Sequence, residues 1–416
     1  DLMNQFALRR SHVFKSMDEG SIAVLFSGDL IKRSADATYP FSVNRNFYYL
    51  TGLDEDSLVL VLLKTKTAQK EILFIKDYNP LMEKWVGKSL KEDQAKAISD
   101  IAGVMTLSSY ESTLARLIDR NGISVLYIDT ERDSLNARVM EGEAFGRKAH
   151  KLYPGMKVVN LNATINALRV IKSKEEINDI KKAIDITDKA IRHALSRLKA
   201  GRKEYEVVAD FNYVLALENS ENSFETIAAS GANATTLHYV TNQETLVDGD
   251  LLLLDLGATY NHYCADISRT FPISGKFTDR QKVFYSIVLQ AQTNVINAIK
   301  PGLTLGDLNN IVKQTYAKAC VEAKIVDDPT KIDTVYYHGV SHFLGLDTHD
   351  VGAMDGILLK PGMVITVEPG LYSSTEGIGI RIEDDVLVTE TGCEVLSPNL
   401  LKSIEEIESF MNQSKD

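Results

Sequence analysis

Four consecutive leucines, Leu251 to Leu254, commit the segment LLLLDLGATYNHYCADISRTF (residues 251–271) to a buried β-strand, and they take Asp255 in with them. A carboxylate carried inward needs a partner, because an unpaired ionised group in the interior costs more than the neighbouring leucines contribute. The segment reads as two β runs joined by a turn at Tyr260-Asn261, where Asn tolerates the positive φ of a tight turn. A hairpin symmetric about that turn sets Asp255 directly opposite Asp266, with Cβ atoms roughly 4.5–5.5 Å apart, where like charges repel unless a cation lies between them. A different register with both groups solvated is the bland alternative for any Asp pair, and the leucine run beside Asp255 argues against it.

A second carboxylate pair repeats the pattern. Glu368 closes the strand VITVE ahead of Pro369-Gly370, and Glu383 lies in the strand IGIRIEDD. Period-two alternation puts Gly379, Arg381 and Glu383 on one face and Ile378, Ile380 and Ile382 on the other, core-packed face. Arg381 can orient a carboxylate beside it; the competing reading is a surface ion pair of little energetic consequence. Between the two hairpins, YHGVSHFLGLDTHDVG (residues 337–352) holds His338, His342 and His349, three of the eight histidines of the chain. His338 and His342 have the spacing of a helical HExxH zinc motif, but the required Glu is missing and Gly339 disfavours a helix, so that reading is rejected. Four carboxylates and one imidazole form a donor set suited to divalent Mn, Co, Zn or Fe. Two such ions cancel the four negative charges, which would otherwise repel strongly at low dielectric.

The rest of the chain supports two domains. Short apolar runs at Ile22 to Phe26, Leu58 to Leu63, Ile72 to Ile75 and Val125 to Ile128 predict an α/β domain over residues 1–160. An α+β domain over 161–416 follows, led by an amphipathic helix from Ser173, whose capping box is completed by Glu176. Its stripe of Ile177, Ile180, Ile184, Ile191, Leu195 and Leu198 is expected to end at Gly201 as a C-terminal cap. Further helices are expected at Glu204 to Glu218, Asp279 to Ala298 and Leu305 to Ala323, and hairpins at 251–271 and 363–388. A net charge of -11 argues against a nucleic-acid partner, and no apolar run approaches the roughly 20 residues of a membrane span. Three scattered cysteines suggest neither a disulfide framework nor a metal knuckle, and with no secretory signal evident the expected location is cytoplasmic. Cys264 is assigned no role, His262 is read as a turn residue, and Trp85 as packed or part of a substrate or subunit surface.

The order Asp255, Asp266, His342, Glu368, Glu383 resembles the metal-ligand set of the pita-bread metallopeptidases, which include methionine aminopeptidase, prolidase and aminopeptidase P. TYPFSVNRNFYYLTGLDEDSLVLVL (residues 38–62) resembles the creatinase/aminopeptidase P N-terminal domain, and KRSADATYPFSV is a loose version of its usual stretch. HGVSHFLGLDTHDVG, LKPGMVITVEPGLY and GIGIRIEDDVLVTETG are closer to the aminopeptidase P pattern than to that of prolidase. The resemblance implies a pita-bread catalytic domain and two divalent ions, Mn²⁺ first among Mn²⁺, Co²⁺, Zn²⁺ and Fe²⁺. It also implies removal of the residue before a proline in second position, and a dimer or tetramer. Glu368 is also assigned as the proton shuttle, and His338 lines the cleft with His349; by the resemblance His349 hydrogen-bonds the substrate carbonyl or oxyanion and His238 contacts the substrate near the metals, while Arg381, orienting a carboxylate, is counted among the catalytic residues. Prolidase is the nearest rival activity, a non-catalytic binding protein on the same fold the rival of another class, and creatinase, whose reaction needs no metal, ranks lowest.

Overall fold

Alternation of short apolar runs with polar turns produces a sheet in the N-terminal part of the chain. The computed structural model describes residues 2–413, and the chain divides into one unit ending at Arg169 and another beginning at Val170. In the first, the expected runs become the strands Ser21–Phe26, Val59–Lys64, Gln69–Ile75 and Val125–Ile128. Gly103–Thr106 and Lys157–Asn160 join them at the edges of a six-stranded sheet. The sheet is mixed: Ser21–Phe26 runs antiparallel to Val59–Lys64 but parallel to Val125–Ile128. Ile22, Val24, Val61, Phe74 and Leu126 fill its core. The unit extends nine residues past the boundary expected after residue 160, because the helix Asn162–Val170 is tied into it by polar contacts. Asn162 Nδ2 donates to Asp129 Oδ1 at 2.9 Å, and Arg169 Nη1 donates to Asn46 Oδ1 at 2.9 Å.

The second unit is α+β. Its leading helix, Lys174–Ser196, starts at the Ser173 cap, with both hydrogen bonds of the capping box in place. It buries Ile180, Ile184, Ile191 and Leu195 and packs against the helix Glu204–Leu217. It does not run on to Gly201 as the sequence suggested. The Arg197 N–H turns back to the carbonyls of Ala194 and Leu195, and Leu198 is buried beyond the helix end, so Gly201 lies in the following loop. A second helix pair, Asp279–Ala298 and Leu305–Glu322, lies where the periodicity predicts it. Leu251 to Leu254 are all buried, which at about 1.5–3 kcal/mol per leucine firmly anchors the strand Leu251–Leu256. That strand is central, between Ile227–Ser230 and Ile267–Pro272. Just beyond it the hairpin pinches at Gly257, where a Cβ would collide with the Ala265 carbonyl oxygen. Among the described residues no helix is long and apolar enough to cross a membrane.

Candidate metal centre

The first hairpin turns one residue later than its sequence suggests. Asn261 and His262 form the turn, both with positive φ (48° and 67°), and Tyr260 pairs with Tyr263. Asp255 therefore stands opposite Ser268 rather than Asp266. The correction displaces the partner by two residues, and an even displacement leaves Asp255 and Asp266 on the same face of the ribbon. His262 is the turn residue it was taken to be, while Cys264 is buried with its Sγ near the Leu346 carbonyl.

The second hairpin is interrupted at its two glutamates. Val364–Val367 pairs with Asp384–Val388 and Gly370–Ser373 with Ile378–Arg381, in one continuous register broken only between them. That register sets Glu368 opposite Glu383 at the break. Glu383 is instead bridged to the first hairpin: its N–H donates to the Ser268 carbonyl at 3.0 Å, and Ser268 Oγ donates to Glu383 Oε1 at 2.8 Å. The two hairpins are thus joined where their carboxylates meet.

His342 reaches the same point from the loop between the hairpins. Its backbone exchanges hydrogen bonds with Thr366, and its Nδ1–H donates to the Phe343 carbonyl at 2.8 Å. That bond leaves Nε2 facing the carboxylates, 3.1 Å from Asp266 Oδ2, 3.1 Å from Glu368 Oε2 and 3.9 Å from Glu383 Oε2. One donor atom from each of Asp266, His342, Glu368 and Glu383 falls within 4.8 Å of the others. Asp255 lies outside that group and is held by Arg381, whose Nη2 donates to its Oδ2 at 2.8 Å. Arg381 is buried, so this is no surface pair.

Charge in the cluster is only partly balanced by protein. Burial raises the Glu383 carboxyl well above its ordinary value, and the charges of Asp266, Glu368 and Asp255 add to the effect. Burial also pushes Asp255 well up, against the pull of Arg381. Burial would raise Glu368 too, but hydrogen bonds with Glu383 and His342 outweigh it and hold that carboxyl below its usual range. His342 would be lowered by burial; its bonds to Asp266 and Glu368 prevail and hold it up at about 11. Asp255 Oδ1, Asp266 Oδ1 and Glu383 Oε2 are buried without a hydrogen-bond partner. Unpartnered carboxylate oxygens converging beside an imidazole nitrogen fit divalent cations, which replace the protons such a site must otherwise hold.

The remaining residues singled out in the sequence surround this cluster. His338 Nδ1 donates to the Gly339 carbonyl at 2.8 Å, so its Nε2 accepts from the Tyr372 hydroxyl at 2.7 Å. Tyr372 accepts in turn from Arg381 Nη1 at 2.9 Å, linking His338 through Arg381 to Asp255. His349 is exposed, with its ring centroid 4.5 Å from that of His342. Burial and the His342 charge lower it. His238 is exposed on a turn, close enough for its charge to bear on both His338 and His349. Glu204, fully buried, secures this turn: its carboxylate accepts from Ser230 N and Oγ, Asn233 Nδ2, Tyr239 OH and Glu244 N at 2.7–3.2 Å.

Tyr372 and Asp385 were missed in the sequence although a signal existed, because alternation from Glu368 reaches Gly370 and Tyr372 and alternation from Glu383 reaches Asp385. Asp385 Oδ2 accepts from the Asp266 N–H at 3.1 Å. Ser268 and Thr366, two residues from Asp266 and Glu368, carried the same alternation signal, whereas Glu204 carried none.

Buried carboxylates and one imidazole, gathered by two joined hairpins in an α+β unit, define a metal-dependent hydrolase. Residues 178–390 match the model of metallopeptidase family M24, and residues 6–127 match that of the aminopeptidase P N-terminal domain. The chain belongs to metallopeptidase family M24, with an aminopeptidase P-type N-terminal domain followed in sequence by a pita-bread catalytic domain. It is 34% identical to the Xaa-Pro aminopeptidase of Escherichia coli over 98% of this chain and 97% of that one. A Bacillus anthracis protein assigned as an aminopeptidase P superposes with a TM-score of 0.97 at 43% identity, covering 99% of both chains. Zinc-substituted E. coli aminopeptidase P in complex with product superposes with a TM-score of 0.89 at 31% identity, covering 99% of this chain and 98% of that one.

Proposed function

We propose that this chain is an Xaa-Pro aminopeptidase, a hydrolase that releases the N-terminal residue from peptides with proline in second position. The carrying observation is the cluster of Asp266, His342, Glu368 and Glu383, with Asp255 beside it, in a chain matched along nearly its full length by Xaa-Pro aminopeptidases. Asp255, Asp266, His342, Glu368 and Glu383 would hold two divalent cations, with Mn²⁺ the first candidate. When bound, such ions lower the pKa of a water towards about 7 and polarise the scissile carbonyl.

The protein's own groups do the rest. Glu368, half-buried and hydrogen-bonded by the Thr366 hydroxyl at 3.0 Å, takes the attacking water's proton and delivers it to the departing proline nitrogen. His349, held below its ordinary value by partial desolvation and the His342 charge, donates an N–H to the oxygen where negative charge develops. His338, with its tautomer fixed by Gly339 and Tyr372, and His238, on the turn secured by Glu204, line the peptide's path. Arg381 fixes the orientation of Asp255. The enzyme works in the cytoplasm as a homo-oligomer.

A prolidase reading has one observation behind it, 39% identity to the Pyrococcus furiosus Xaa-Pro dipeptidase, but over only 57% of this chain. The deciding experiment is hydrolysis of an Xaa-Pro-Xaa tripeptide and an Xaa-Pro dipeptide by chelator-treated protein, with and without Mn²⁺, Co²⁺ or Zn²⁺ and with Asp266→Ala as control. Metal-dependent release of the first residue from the tripeptide is expected. Cleavage of the dipeptide alone makes the enzyme a prolidase, and no cleavage with any metal favours a binding protein on this fold.

A further inference from the structure

The break in the second hairpin is filled from outside the hairpin. Gln292, fully buried on the helix Asp279–Ala298, points its side-chain amide into the gap. Its Nε2 lies 3.2 Å from the Val367 carbonyl, 3.3 Å from the Ile382 carbonyl and 2.9 Å from Asp384 Oδ2. Val367 and Ile382 are the residues immediately before Glu368 and Glu383. All three neighbours are acceptors, so the amide must present its NH₂ to them. Its Oε1 is then left buried with no hydrogen-bond partner. An apolar side chain of the same volume would fill the space without stranding an oxygen, so packing alone does not account for an amide here.

Asp384 extends the bracket. Its Oδ1 accepts from Arg269 Nη2 at 2.8 Å, and Arg269 Nη1 donates to the Glu383 carbonyl at 2.8 Å. The peptide before Glu383 is thus held by Gln292 and the peptide after it by Arg269, with both holders seated on one buried carboxylate. Glu368 shares the Gln292 anchor through Val367.

We infer that Gln292 is a positioning residue of the metal centre, whose amide, bonded to the carbonyls preceding Glu368 and Glu383, sets the spacing of those two carboxylates across the hairpin break. The inference rests on the metal-site reading above. Ligand spacing governs both affinity and coordination geometry, and loss of a group that orients ligands typically weakens metal binding about 10–100-fold.

The test compares the full-length parent protein with Gln292→Met, which keeps the volume and removes the donor. Both are stripped with chelator, checked for fold by circular dichroism and titrated with Co²⁺, following the visible d–d absorption and the dissociation constant. Expected are a Co²⁺ affinity about 10–100-fold weaker and an altered d–d spectrum in the variant. A variant that loses thermal stability but keeps the parent's affinity and spectrum overturns the inference and leaves Gln292 a packing residue. If Gln292→Met does not fold, the same readings on Gln292→Asn decide, because its shorter amide cannot span the same acceptors; parental affinity and spectrum there overturn the inference equally. A parent that binds no Co²⁺ is a different failure, removing the metal-site reading and this inference with it.

Discussion

Metal loading should expel protons from this protein, and the structure says from where. With cations stripped, His342 is held at about 11 by its bonds to Asp266 and Glu368, so near neutral pH it carries its proton. A cation needs the lone pair of Nε2, the atom that faces the carboxylates, because Nδ1 is committed to the Phe343 carbonyl. Binding therefore releases the proton, and affinity rises with pH by about tenfold per unit for each proton released, until pH passes the His342 value. At about pH 7.5 the gap is roughly 3.5 units, so displacing this proton costs about 5 kcal/mol of cation affinity at about 1.4 kcal/mol per unit. Burial and the neighbouring carboxylates raise the Glu383 carboxyl, so a cation there also replaces the favourable protonation of that group. Calorimetric titration of chelator-treated protein with Mn²⁺ or Zn²⁺, in two buffers of different ionisation enthalpy, measures the number directly. At least one proton per site is expected, from His342; no release, or an affinity flat from about pH 6.5 to 8.5, would refute the electrostatic reasoning.

His349→Ala should lower kcat by about 10–1000-fold, the range for losing one oxyanion donor, while metal content measured by atomic absorption stays at the parent level. Loss of metal instead would make His349 part of the cation's support. Glu204→Gln sets an NH₂ among groups that donate to the carboxylate, including Ser230 N and Glu244 N, and should cost about 1–3 kcal/mol of stability in denaturant titration. It should lower peptidase activity through the displaced His238 turn with metal content unchanged; parental activity would show that the turn does not matter. Gly257→Ala drives a Cβ into the Ala265 carbonyl and should destabilise the protein by at least about 1–3 kcal/mol, read as a lower Tm. An unchanged Tm would mean that the pinch can relax.

The sequence exposed whatever depends on period and on local capping. The helix from Ser173, the helix Asp279–Ala298 and both hairpins follow from apolar spacing and from Ser, Thr or Asn at element ends, all local signals. The stop at Arg197 was hidden because Leu198 continues the apolar stripe after the backbone has left the helix, and periodicity cannot distinguish a buried helical leucine from a buried one just outside. The first unit reaches past residue 160 because Asn162 and Arg169 join it by polar contacts, which leave no hydrophobic period. Glu204 and Gln292 were illegible for a related reason: each is a polar residue on a helix whose partners lie on segments distant in sequence.

The misplaced turn bears on why the carboxylates could still be read. Moving the turn from Tyr260-Asn261 to Asn261-His262 changes the partner of Asp255 by two residues, and the pleat returns to the same face after two. A slip of one residue would have sent Asp266 to the opposite face and left Asp255 buried beside no other carboxylate of its hairpin. The second hairpin achieves convergence differently, by breaking its ladder at Glu368 and Glu383 while keeping register on both sides. The break frees Glu383 to bond across to Ser268, the residue that pairs with Asp255. Ser268 is therefore the joint of the centre: its backbone fixes the face of the first carboxylate pair and its carbonyl and hydroxyl fix the second. Alternation within each hairpin points the carboxylates, but their meeting depends on a serine that no metal-ligand pattern would select.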